Sequence, residues 1–236
     1  MVSWFQRRPR VVPPRIRPRA SELQTTRVDF AELAPDTSSF LGQVAYLQLA
    51  FSQQLAELSA RSTDLGAKET LAAAAGAALA KHQGVVAEIR RRGEDPAEAM
   101  ARFAPAIDRY LEATRGGSVD ESLVSVYICQ GFLDDFFVSL AGGLPSDAGP
   151  RVAVLLGADS GAAGIVAMLT DAIAADPTRA HLLALWGRRL VGDTLLLAQS
   201  ALHEGDRARA EERIEPVFTE LIATHTRRMD ALGLTA

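Results

Sequence analysis

Chemistry needs side chains that can ionise, ligate or attack, and this chain is sparing with them. It has four histidines, His82, His181, His203 and His225, and one cysteine, Cys129. A single cysteine allows no internal disulfide and no cysteine-built zinc site. Di-iron sites built into helical bundles use a carboxylate three residues before a histidine, a spacing that puts both ligands on one helix face. The residues three before the four histidines are Leu79, Thr178, Ser200 and Ile222. None is an acid, so that pair is missing at every histidine.

What remains is a set of polar residues at inward-facing helical spacings. Gln48 lies beside the apolar stripe of the first long helical segment, and His82 follows a run of small residues in the second. Gln130 and Asp134 share a face with Tyr127 and Phe137, and Asp159 shares one with Leu155, Ala162 and Val166. Leu79 with His82, and Asp159 with Ala162, each read as half of a carboxylate-x-x-histidine pair. Two readings stand side by side. Gln48, His82, Gln130, Asp134 and Asp159 form a reduced or altered metal site, in which one histidine and two aspartates hold a divalent ion. Alternatively they are a buried polar cluster whose members satisfy one another. Farther along, Arg189 and Asp193 are four apart, the spacing of a helical ion pair next to Trp186. That segment reads either as an anion contact or as a salt bridge docking its helix. Cys129, inside an apolar helical stretch, reads as an inert core thiol. No phosphate loop, GxGxxG, HExxH or GxSxG motif is present.

The elements that must position these residues are all helical. The chain has 236 residues, 48% hydrophobic and 23% charged, with a net charge of −4. Alanine, leucine, arginine and glutamate favour helix, and few segments alternate as strands do. Only two of the 25 basic residues are lysines, Lys68 and Lys81. Phe40, Val44, Leu47, Phe51, Leu55 and Leu58 mark a first helix from about residue 36 to 62. A second runs from Gly66 to Arg92, and a segment broken by Pro105 reaches Thr114. Further helices are expected over 120–141, 149–175, 177–203 and 206–232, the last started afresh or kinked at Pro216. Two long hairpins joined by one crossover are the ferritin-like arrangement of a four-helix bundle. The expected fold is therefore an all-α ferritin-like four-helix bundle over residues 37–205, with one or two additional C-terminal helices and a surface helix over 206–236.

Residues 1–36 differ. Arg7, Arg8, Arg10, Arg15, Arg17 and Arg19 alternate with prolines, so that the first 21 residues carry +6 and the rest −10. This reads as a disordered basic arm. It is either a solvated terminus or an anion-seeking arm for RNA or acidic lipid, with Trp4 and Phe5 stacking or anchoring. No secretory signal follows the arginines and no run of 18 apolar residues occurs. The expectation is a cytoplasmic protein without a transmembrane segment, dimeric through a helix face.

Several stretches resemble a known family. Phe40-Leu-Gly-Gln-Val-Ala-Tyr-Leu47, Gly93-Glu-Asp-Pro-Ala-Glu-Ala-Met100-Ala-Arg-Phe103, Gly131-Phe-Leu-Asp-Asp-Phe136, Ala158-Asp-Ser-Gly161 and Leu183-Ala-Leu-Trp-Gly-Arg-Arg-Leu-Val-Gly-Asp193 are similar to actinobacterial ferritin-like proteins grouped with the tRNA methylthio-isopentenyl-adenosine hydroxylases. The resemblance implies a ferritin-like fold and, for the hydroxylase itself, a di-iron, oxygen-dependent hydroxylation of a modified tRNA base. Measured against that pattern, Leu79 replaces the acid before His82, Ala162 replaces the histidine after Asp159, and Gln48 stands where a glutamate is needed. The expectation is a degenerate di-iron site with no cofactor, in a non-catalytic binding or scaffold protein. The alternatives are an iron-dependent hydroxylase acting on a modified tRNA adenosine and a relative that binds RNA without the chemistry.

Overall fold

The computed structural model describes residues 33–202 and 207–235. Among them the secondary structure is helical: α1 (Thr37–Arg61), α2 (Leu65–Arg91), α3 (Pro96–Ala101), α4 (Ala104–Ala113), α5 (Val119–Ala141), α6 (Gly149–Leu156), α7 (Ala162–Ala175), α8 (Thr178–Ser200) and α9 (Arg207–Ala231). The basic arm expected over 1–36 lies outside the described residues up to position 32. Leu33 is already buried in the core, so the packed part starts ahead of residue 37.

Helix boundaries follow local chemistry. Asp36 accepts from Ser39 N at 2.9 Å and opens α1; Asp64 accepts from Ala67 N at 2.8 Å and opens α2. These caps satisfy amides that have no intrahelical partner. Ser118 and Glu121 form a capping box at the start of α5. The three-residue link between α1 and α2 leaves an antiparallel hairpin as the compact solution, and Ser59 Oγ donates to Lys68 O at 2.9 Å across it. Helices α3 and α4 make the crossover to the second half. Gly42 on α1 lets the α3 backbone at Ala99 come close; a Cβ there would collide with the Ala99 carbonyl.

α5 is the central helix. It packs against α1, α6, α7, α8 and α9. It is long and apolar enough to cross a bilayer, which the absence of an uninterrupted apolar run had masked, but 72% of that stretch is buried inside the protein. Phe40 of α1 meets Phe137 of α5 edge-on at 5.5 Å between centroids, and Phe136 meets Phe137 at 5.1 Å. α9 docks through Val217, Leu221, His225 and Met229, all buried. Arg228 donates to Asp135 on α5 at 2.7 Å across the small Gly131.

Two expectations about helix continuity are corrected. The single helix expected over 149–175 is two, α6 and α7, separated by Gly157-Ala158-Asp159-Ser160-Gly161. Gly161 takes φ +72°, and its Cα side faces Ala74 of α2 so closely that a Cβ would sit 3.0 Å from the Ala74 backbone. Conversely, α9 continues through Pro216 as one helix, so the restart expected from the missing amide does not occur.

Candidate functional site at the bundle centre

Four helices meet at one buried polar cluster. Gln48 on α1, Lys81 on α2, and Gln130 and Asp134 on α5 are each more than nine-tenths buried. Lys81 Nζ donates to Asp134 Oδ2 at 2.6 Å and to the Leu156 carbonyl at 2.7 Å. Gln48 Nε2 donates to the other carboxylate oxygen, Asp134 Oδ1, also at 2.6 Å. The break after α6 gives this arrangement its last partner. A helix end leaves carbonyls without intrahelical donors, and the Lys81 ammonium caps one of them at the negative end of the helix dipole.

The electrostatics follow from burial. Desolvation pushes the Asp134 carboxyl up from its ordinary value, and the Lys81 ammonium and the Gln48 amide oppose that push. Two buried atoms, Gln48 Oε1 and Gln130 Nε2, find no hydrogen-bond partner. One is an acceptor and the other a donor.

The residues singled out from sequence are distributed unevenly. Gln48, Gln130 and Asp134 lie at the centre. His82 does not: it is only half-buried, and its Nδ1 lies 2.8 Å from the Ala45 carbonyl of α1. One residue along a helix is a rotation of about 100°, and it is Lys81, not His82, that points inward. Asp159 is also absent from the centre. It sits exposed in the break between α6 and α7, where its Oδ1 accepts from Gly161 N at 2.9 Å, so the face shared with Leu155, Ala162 and Val166 does not exist. The Arg189–Asp193 ion pair does not form among the described residues. Arg189 instead lies over the Trp186 ring at 5.3 Å. Docking of α8 falls to Trp186, whose Nε1 donates to Ser125 Oγ at 2.8 Å and Glu121 O at 3.1 Å.

Lys81 is the buried cluster residue that periodicity missed. A signal was present: it is the only charged residue between Glu69 and Glu88. A lone charge in an alanine-rich helix is either exposed or paired in the interior, and an apolar helix carrying Asp134 elsewhere in the chain supplies the complement. Glu88, one turn from the end of α2, is a second buried acid. Arg151 of α6 grips it with two bonds of 2.9 Å, Arg91 adds a third, and these guanidiniums hold its carboxyl down to about 2. Cys129 is buried beside Thr194 and Tyr110, and burial pushes its thiol up to about 11, as an inert core thiol requires.

A family model described as a ferritin-like domain of actinomycetes matches residues 34–211. The chain belongs to this ferritin-like family. No curated protein shows a significant match to it. The match runs from the start of the packed region into α9, so the ferritin-like domain takes in the hairpins, the crossover and α8.

Ferritin-like bundles imply a pair of iron ions held by carboxylates and histidines from four facing helices. The described residues of this domain do not fit that group. Asp134 is the one carboxylate in the cluster, and an ammonium already sits against it. Gln48 is a neutral amide turned toward the same carboxylate. Among the described residues, no three of His, Cys, Asp and Glu converge. A hard cation needs anionic oxygen or neutral imidazole donors, and a lysine at 2.6 Å from the sole acid repels any metal that would compete for it.

Proposed function

We propose that this ferritin-like domain is a non-catalytic binding or scaffold protein whose bundle is closed by an ion pair. One observation carries the reading: Lys81 Nζ bridges Asp134 and the Leu156 carbonyl at the point where four helices meet. The ammonium supplies the positive charge that a metal supplies elsewhere, but it has no open coordination position and no redox chemistry. In this reading the relationship to tRNA hydroxylases extends to the bundle and not to their reaction. The alternative, an iron-dependent hydroxylase, would need Lys81 to leave the site and further acids to enter it.

The test is metal analysis of the full chain, expressed with added iron and separately reconstituted anaerobically with ferrous ion. Folded, helical protein with iron at background supports the proposal. About two irons per chain with an oxo-bridge absorption band would overturn it.

A further inference from the structure

Helix α8 carries a face that the other described residues leave exposed. Its inner side, Leu183, Ala184, Gly187, Leu190, Thr194, Leu197 and Ala198, is buried. Its outer side presents Leu182, Leu185 and Leu196, exposed by 63%, 60% and 66%. These leucines are not scattered. Leu182, Leu185, Arg189, Gly192, Leu196 and Gln199 follow one another at alternating steps of three and four, the spacing of a helix–helix seam.

Gly192 is the second observation. It lies in the interior of a long helix, where glycine is among the poorest residues, and a Cβ added there would meet nothing within 4 Å. Among the described residues, no packing contact calls for a glycine there. A glycine at that position leaves room for another backbone or a bulky side chain to come close.

The pattern also names its partner. Laid antiparallel on a copy of itself about a two-fold axis between Leu190 and Val191, the seam pairs Leu185 with Leu196, Arg189 with Gly192, and Leu182 with Gln199. Arg189 of each copy then lies over Gly192 of the other. Asp193 of that copy is the next residue along the axis, one helical rise of about 1.5 Å from the position that faces Arg189. Arg189 and Asp193 do not pair with each other within one chain; across the axis their charges are complementary, twice. A two-fold interface requires one patch to match itself in this way.

We propose that α8 is the interface of an antiparallel homodimer, with Leu185 and Leu196 as its apolar contacts and Arg189 seated over Gly192. The interface does not depend on the reading of the bundle centre. Sedimentation equilibrium of the full chain is expected to give twice the 25.2 kDa chain mass. The double variant Leu185→Glu/Leu196→Glu is expected to be monomeric with unchanged helical circular dichroism. Gly192→Ala is expected to raise the thermal midpoint of dilute, monomeric protein while raising the dimer dissociation constant at least about tenfold. Stabilising the fold and weakening association together separates the interface from any folding defect. A mixture of Leu185→Cys and Leu196→Cys chains is expected to oxidise to the mixed disulfide in preference to either symmetric one. A monomer at every concentration, or a dimer indifferent to these substitutions, overturns the proposal.

Discussion

Replacing Lys81 with methionine keeps most of the side-chain volume and deletes the charge. Asp134 would then keep its carboxylate in a site more than nine-tenths buried, with Gln48 as its remaining donor. Removing one partner of a buried pair typically costs about 3–5 kcal/mol, because the other charge stays behind. The Leu156 carbonyl loses its cap as well, worth about 1 kcal/mol. Against a total stability on the order of 5–15 kcal/mol, the melting temperature should fall by roughly 10 °C. Asp134 has one escape, which is to take a proton. In Lys81→Met the folded-state pKa of Asp134 lies above the unfolded value. The protonated fold is then favoured at low pH, and that advantage is lost as pH rises through the raised pKa, at about 1.4 kcal/mol per unit. The defect should therefore shrink as pH is lowered from about 7 toward about 5, the opposite of ordinary acid sensitivity. The double variant Lys81→Met/Asp134→Leu should recover most of the loss, since an apolar replacement of a buried pair is often neutral or better. Urea unfolding at several pH values measures all three. A single variant costing under about 1 kcal/mol, or a double variant as damaged as the single, would refute the assignment of a buried, mutually compensating pair.

Other perturbations address the supporting contacts. Gly42→Ala should destabilise by about 1–3 kcal/mol through overpacking against the Ala99 carbonyl, read as a lower urea midpoint at unchanged m-value. Glu88 is held down to about 2 by Arg151 and Arg91. Its contribution is present above the ordinary glutamate value and is lost as pH falls from there toward about 2. Allowing for the half-exposed arginines, Glu88→Gln should remove roughly 1–2 kcal/mol of acid-sensitive stability. His225 is pushed below its ordinary value by burial and then by Arg228. Its neutral form supports α9 docking above about pH 6.5, support that is lost as pH falls. His225→Phe should remove that step from hydrogen exchange of the α9 amides. Trp186→Phe should cost about 1–2 kcal/mol by leaving Ser125 without its donor, seen as earlier thermal unfolding.

Helix type and order were legible because they rest on local physics. Apolar residues at steps of three and four located α1, α2 and α5, and Asp36 and the glycine–proline stops marked their ends. The ferritin-like pairing of hairpins followed from lengths and links alone. Gln48, Gln130 and Asp134 could be found because a polar residue on an apolar stripe is visible in one dimension. What one dimension does not hold is rotation and interruption. His82 and Lys81 differ by one position, and only packing against α1 and α5 decides which of them enters the core. Periodicity alone puts Asp159 on a helix, because Gly157 and Gly161 do not by themselves forbid one; in the structure Gly161 takes φ +72° against the α2 backbone at Ala74, a position only glycine fits. That break frees the Leu156 carbonyl, and the carbonyl completes the seat for Lys81. The pairing of Lys81 with Asp134 thus depends on residues 53 positions apart and on a helix end 75 positions away. Charge and hydrogen-bond complementarity act through space, so their partners are set by the tertiary fold, whereas helical periodicity and capping act through the chain and are written in its order.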